Sequence, residues 1–470
     1  MAYTPTIGLE IHAELKTKTK MFCDSRNDPD ETRPNVNVCP VCMGFPGTLP
    51  VVNKEAVHHV LRVGAALDGA LVDYTEWDRK NYFYPDLPKG YQISQYEYPL
   101  VAGGMLNGVA ITRVHLEEDA ARNQHSGDGY SLIDFNRAGL PLMELVTEPC
   151  IHDAETASAF AQNLQLLLRS LGAGDANMEK GQMRVEANIS ISKDDTLGTK
   201  VEVKNLNSFK SVEKAIAFEI DRQTEALEKG ELLVQETRGW DEVKGITFSQ
   251  RKKEGSHDYR YFPDPDIPKF RLARIPGFSK DEIKNTLPEL PWEKRARYIS
   301  LGMTSTEAET LVSDPSYGSF FDTEVLARMN DANAIKLGTN YLLTDIRGHG
   351  ANEDELQRLS GGAFAEVIAL TMKGELSSRG TKDLLEVLLK EGGDPRALAG
   401  ERGLIQMKDS AALGRIVDEI LSENTAIVLE IKNGKQEALK YLIGQGMKKS
   451  KGSANPGELE KALVERISAS

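Results

Sequence analysis

Arg184-Val185-Glu186-Ala187-Asn188-Ile189-Ser190-Ile191 and, past a turn-rich stretch, Lys200-Val201-Glu202-Val203-Lys204 decide how the first half of this chain reads. A strand points successive side chains to opposite faces, so a period of two separates two surfaces. Val185, Ala187, Ile189 and Ile191 share one face, and Arg184, Glu186, Asn188 and Ser190 share the other. The second run repeats the pattern with Glu202 and Lys204 outward. Lys193-Asp194-Asp195-Thr196-Leu197-Gly198 between them is rich in turn formers. The pair predicts a hairpin, hence antiparallel sheet with one apolar and one polar face.

Working outward, Ile7 to Leu15 alternates in the same way and sets Glu10, His12 and Glu14 on one polar face. Another strand-like run, Val109 to Leu116, ends in Glu117-Glu118-Asp119. Strict alternation puts Glu117 with His115 and Glu118 with Leu116. Before the hairpin, Asp153 can cap a helix in which Phe160, Leu164, Leu167, Leu168 and Leu171 recur at helical spacing as far as Gly172. A second helix is expected from about Ser211 to Lys229, ended by Gly230. The prolines of Leu287-Pro288-Glu289-Leu290-Pro291 mark a boundary, and helical periodicity dominates beyond it. Leu384, Leu385, Val387, Leu388 and Leu389 form one such face before Gly392-Gly393. Leu459, Leu463, Val464 and Ile467 form a closing helix, after a basic loop read from Gly444 to Pro456.

Bulk properties set limits on function. The chain has 470 residues, enough for two to four domains, with 27% charged and 40% hydrophobic residues. No apolar run approaches the roughly 20 residues of a spanning helix, and the start lacks a basic and an apolar region of a secretion signal. Four cysteines are too few for a disulfide scaffold in a chain this long. The expected location is the cytoplasm, with no membrane contact. A net charge of −14 rules out nucleic-acid attraction over the whole surface, so any such contact is a local basic patch.

Phosphate-binding signatures are absent: there is no G-x-x-x-x-G-K-[ST] and no strand-anchored G-x-G-x-x-G. Nucleotide chemistry would therefore rest on carboxylates and a metal. Glu10, His12, Glu186 and Glu202 on polar strand faces, with Glu117 or Glu118 at a strand end, offer hard donors suited to Mg²⁺. The competing reading is a solvated sheet face, the usual fate of glutamate. Asp78 to Tyr91 gathers basic residues, aromatics and prolines. Its Arg79, Lys80 and Lys89 suit phosphate and its tyrosines suit bases. Cys23 with Cys39-Pro40-Val41-Cys42 is three quarters of a zinc site. A fourth ligand would have to be Ser25, Asp24, His58 or His59; otherwise these are free thiols in a packed loop, as Cys150 is read to be a buried thiol. Lys448, Lys449 and Lys451 suit a nucleic-acid backbone or a solubilising loop.

Several longer stretches resemble the B subunit of the tRNA-dependent amidotransferases. They are Ile7 to His12, the run Asp78 to Gln95 (DRKNYFYPDLPKGYQISQ), His115 to Asp119, Asp134 to Gly139, Lys204 to Phe209, Gln235 to Arg238, Asp258 to Pro263 and Lys451 to Pro456. The resemblance spans essentially the whole chain. It implies an α+β protein: an antiparallel-sheet cradle catalytic domain over 1–292, an all-helical domain over 293–400 and a helical tail contacting tRNA over 401–470. It further implies two partners, the amidase (A) and small (C) subunits of the same complex, with misacylated tRNA, ATP and Mg²⁺. In that family the side-chain carboxylate of Glu or Asp on tRNA is phosphorylated and then attacked by ammonia. The implied catalytic and metal positions are Glu10, His12, Glu118, Glu186 and Glu202, with Glu117 as the substitute for Glu118. Arg79, Lys80, Tyr82 and Lys204 are the candidates for holding ATP or substrate, and Lys448, Lys449 and Lys451 those for tRNA. Glu186 stands where many relatives have Asp, and Ser25 stands where some have a zinc cysteine, which leaves zinc open. The alternative is a protein that only binds and docks tRNA.

Overall fold

The computed structural model describes residues 3–125, 127, 129–194, 196–252, 259–406, 410–432, 435, 437–450 and 454–469. Asp195 of the hairpin turn, Asp258, and the Lys451, Gly452 and Ser453 of the tail motif lie outside them. The chain divides into two compact units, Met1–Pro291 and Trp292–Ser470.

In the first unit the alternating runs become strands of one large sheet. Among the described residues its order is Ile246–Lys252, Glu236–Asp241, Val201–Leu206, Met183–Ser192, Thr4–Glu14, Pro141–Thr147, Val109–Glu118, Val101–Ala102 and Ala70–Leu71. Neighbours run antiparallel except Val201–Leu206 and Glu236–Asp241, which are parallel. The exception has a local cause. Helix Phe209–Glu228 lies between those two strands and returns the chain to the end where it began.

The apolar face is the core. Ile7, Leu9, Ile11, Val185, Ala187, Ile189, Val201, Val203, Met143 and Leu145 are all buried. Helices Ala154–Ser170 and Phe209–Glu228 cover it, capped by Asp153 and Ser208 as side-chain acceptors. Both end before a glycine with positive φ, Gly172 and Gly230, where the left-handed turn excludes most other residues. Phe160, Leu164, Leu167 and Leu168 are completely buried, each contributing about 1.5–3 kcal/mol relative to exposure.

The second unit is helical. One core runs from Tyr298 to Ala399 and a separate one from Leu413 to Ile467. Val464, read as part of the closing helix's apolar face, is 45% exposed instead. The expected basic loop is shorter than read, because helix Ala438–Lys449 takes up its first residues. Gly446 is there for closeness, not for a turn: a Cβ on it would lie 2.3 Å from Leu459 of the last helix. No helix among the described residues is long and apolar enough to cross a membrane.

Candidate active site

Strand register builds the site. His115 pairs with Glu144, Glu144 with His12, and His12 with Arg184, a rung across four strands. The next rung holds Arg113, Val146, Glu10 and Glu186. Side chains at these positions share the polar face, which forms the floor of a cleft of about 640 Å³, within the usual range for small-molecule sites.

His12 is at the centre. Its Nε2 lies 3.5 Å from Glu144, 3.7 Å from Glu117 and 3.9 Å from Glu10. Burial opposes its charge, but the Glu144 hydrogen bond and the nearby carboxylates outweigh that and raise its pKa to about 9. His115 Nε2 sits 3.2 Å from Glu144, and Arg113 Nε donates to His115 Nδ1 at 3.4 Å, which leaves the ring proton facing Glu144. Burial raises the Glu10 pKa, and Glu144 and Glu186 add to the effect. Lys204 Nζ bridges Glu186 at 2.7 Å and Glu202 at 3.9 Å, and Thr237 donates to Glu202 at 2.7 Å. Ligand atoms of Glu10, His12 and Glu144, of His115, Glu117 and Glu144, and of Glu10, Glu186 and Glu202 each converge within 4.8 Å. Oxygen-rich, overlapping groups with excess negative charge fit a hard divalent cation.

Glu10, His12, Glu186 and Glu202 are thus brought together. Glu118 is not. The register runs unbroken from Arg113 to Glu118, its one shift lying further back at Thr112, so Glu117 pairs with Leu142 on the cleft face and Glu118 with Pro141 on the other. The Glu118 carboxylate is taken up by Lys89 Nζ at 2.6 Å and the Ile93 amide at 2.9 Å. It lines a separate small pocket beside Cys23 and Cys42. Glu117 occupies the place expected of Glu118. Consequently Glu117→Gln is expected to weaken Mn²⁺ or Mg²⁺ binding about tenfold or more, and Glu118→Gln to leave it within twofold, in a metal titration of the two variants.

Lys80, Tyr82 and Lys204 line the cleft, whereas Arg79 does not. Adjacent residues of the strand Asp78–Asn81 point oppositely, and the Arg79 guanidinium is committed to Asp264 at 2.7 Å and Asp266 at 2.9 Å. Glu144 does not stand out in the sequence. Its signal is a lone carboxylate inside the apolar run Pro141-Leu142-Met143-Glu144-Leu145-Val146.

The Cys23, Cys39 and Cys42 sulfurs also converge within 4.8 Å, and among the described residues no other Cys, His, Asp or Glu joins them. Ser25 Oγ and Lys20 Nζ are each 3.8 Å from Cys42 Sγ. His59 is held by the Lys16 carbonyl and His58 stacks on Phe278. A closed structural zinc takes four N, S or carboxylate ligands, so a hydroxyl and an ammonium at the fourth corner do not fit one. Cys150, read as a buried thiol, is exposed. In the tail Lys448 is exposed, while Lys449 already pairs with Glu423 at 2.7 Å and Glu419 at 3.2 Å.

A carboxylate-floored cleft on a mainly antiparallel sheet, followed by a helical unit, defines the class: residues 5–275 match the GatB/GatE catalytic domain and residues 319–467 the GatB domain. The chain is 45% identical to the B subunit of the aspartyl/glutamyl-tRNA(Asn/Gln) amidotransferase of Thermus thermophilus, covering 99% of both chains. It is 42% identical to that of Persephonella marina and 41% to that of Moorella thermoacetica, in each case over 99% of this chain and 100% of the relative. The chain belongs to the family of aspartyl/glutamyl-tRNA amidotransferase B subunits.

Proposed function

We propose that the cleft amidates Glu or Asp carried on tRNA, at the expense of ATP. An oxygen of the side-chain carboxylate takes the terminal phosphoryl group of ATP, and ADP leaves. Ammonia from a partner amidase then adds to the acyl carbon, and inorganic phosphate departs with the proton that nitrogen gives up. The observation that carries this reading is the floor itself: Glu10, His12, Glu117, Glu144, Glu186 and Glu202 facing a polar cleft, with Lys80 and Lys204 beside them. Those carboxylates and His12 would hold Mg²⁺, which neutralises phosphoryl charge in such transfers. Lys80 and Lys204 supply fixed ammonium groups to the same end. His12 must give up its proton to serve as a donor, and a bound cation would favour that loss by opposing the carboxylate field.

The amidase partner, a small third protein and a cytoplasmic setting belong to this reading. ATP consumption dependent on Glu-tRNA or Asp-tRNA, with ammonium in place of glutamine, tests it. Charged tRNA that leaves ATP turnover unchanged would favour a docking role alone. The tail is the proposed tRNA contact through Lys448, Lys449 and Lys451, the last outside the described residues. Changing Lys448 and Lys449 to Ala is expected to weaken tRNA binding and reduce the salt slope by about one. Most of that falls on Lys448, since Lys449 has acidic partners of its own. A salt dependence identical to wild type removes the tail from the contact.

A further inference from the structure

A structural zinc does not fit the three cysteines, and the chain places a cation of its own beside them. Lys20 has no exposed surface, alone in this among the described lysines. Its Nζ donates to the Phe135 carbonyl at 3.1 Å and lies 3.8 Å from Cys42 Sγ. Burial lowers the Lys20 pKa, and Cys42, Cys23 and Cys39 oppose that. An ammonium buried without an anion is costly, and the nearby group able to supply one is the Cys42 sulfur.

The surroundings of that sulfur favour its charged form. Cys42 Sγ accepts from the Cys39 amide at 3.1 Å, and Ser25 Oγ is 3.8 Å from it. The Cys23 hydrogen bond brings the Cys42 thiol well below its usual range; burial resists, and Lys20 and the Cys39 amide add to the lowering. A second sulfur is already in place: Cys39 Sγ lies 3.9 Å from Cys42 Sγ. Their turn is held by the Met43 amide on the Cys39 carbonyl at 3.0 Å and the Phe45 amide on the Pro40 carbonyl at 2.9 Å. Cys42 is only 5% exposed, yet with Cys23 it lines a cavity of about 110 Å³. A single water needs about 10–15 Å³ of such space, so a small oxidant can reach the sulfur.

We infer that this cluster is a site of reversible oxidation by peroxide, with Cys42 as the attacking thiolate, Lys20 as its counterion and Cys39 as the resolving thiol. The Cys42 sulfur attacks one oxygen of hydrogen peroxide and the O–O bond breaks. Hydroxide leaves and takes a proton from solvent to become water, and Cys42 becomes a sulfenic acid. The Cys39 sulfur then attacks the Cys42 sulfur. The S–S bond forms, the S–O bond breaks, and the departing hydroxide leaves as water with the Cys39 proton. Two thiols thus lose two electrons to one peroxide, and a dithiol returns electrons and protons by exchange. The site is independent of the cleft and of the reaction proposed there.

The test treats the full chain, purified without chelator, with hydrogen peroxide at pH 7 and maps each cysteine by alkylation and mass spectrometry. A Cys39–Cys42 bridge is expected, reopened by dithiothreitol, while Cys150 stays a thiol although it is the exposed one. Cys39→Ser should stop at the Cys42 sulfenic acid, trapped with dimedone. Lys20→Met should slow Cys42 oxidation about tenfold, because an ordinary thiol is only a few per cent thiolate at that pH. Should Lys20→Met fail to fold, the Cys39→Ser arm decides alone. Oxidation of Cys150 ahead of Cys42, or a bridge to Cys23 in place of Cys39, overturns the assignment. So does Lys20→Met reacting as fast as wild type, or one zinc per chain that leaves the three sulfurs unreactive.

Discussion

Glu144→Gln is expected to lower ammonium-supported amidation of charged tRNA by about three orders of magnitude, since metal stabilisation of a transferring phosphoryl group is worth several kcal/mol. Glu144 belongs to two of the three converging donor groups, so a single change thins both. It is also the carboxylate nearest His12 and His115. The amide keeps the shape but removes the charge that holds those rings, and its nitrogen would present a donor to a His12 that is itself charged. Rate and metal affinity should fall together. A variant that amidates at close to the wild-type rate would remove Glu144, and with it the metal site, from the chemistry.

Asp119→Asn should be the most damaging change to stability near the cleft. Asp119 is 5% exposed, accepts from Arg137 Nε at 2.5 Å and Arg184 at 3.1 Å, and takes the Ala120 amide at 2.9 Å. Arg137 reaches on to Glu14 at 2.7 Å. Breaking one partner of a buried ion pair costs about 3–5 kcal/mol; the half-exposed Arg184 arm adds little. Burial would raise the Asp119 pKa, yet Arg137 and Arg184 bring it down to about 2 from an ordinary 3.8. A depressed carboxylate stabilises the fold above its unfolded value and loses that contribution as pH falls through the folded one. The gap between wild type and Asp119→Asn should therefore be full at pH 7 and shrink from about pH 4 toward pH 2. Urea unfolding followed at Trp77 and Trp240, both in the first unit, reads it. A gap that does not vary with pH would place the loss in packing instead.

What could be read from the sequence follows the physics of a strand. Glu10, His12, Glu186 and Glu202 are legible because apolar residues alternate with them, and a period of two leaves no choice of face. The same rule puts Glu117 on the cleft face; the resemblance favours Glu118, but the strand's one register shift, at Thr112, lies before Arg113 and leaves the alternation from His115 to Glu118 intact. Glu144 is hidden because Leu142 and Val146 share its face, so its strand reads as apolar throughout. Arg79 and Lys80 read alike as neighbours in sequence, although neighbours on a strand face opposite ways. The meeting of residues 78–94 with 259–263 is a pairing between distant segments, which neither periodicity nor composition encodes. In the tail, Gly446 reads as a loop residue until its contact with Leu459 is known.

The Arg79–Asp264 clamp joins positions 185 residues apart. During synthesis the carboxylate floor can pair once the chain has emerged through Leu206, the end of the strand carrying Glu202. The facing wall, where Phe262 and Pro263 pair with Arg79 and Asp78, cannot close until the residues around Asp264 have followed. A ribosome-bound chain halted between those points would hold a floor without its facing wall. Long-range closure of this kind is slow because the loop entropy must be met before the contact forms. Completion of the cleft thus coincides with release of almost the entire first unit, which delays a ligand-competent site until the scaffold around it is in place.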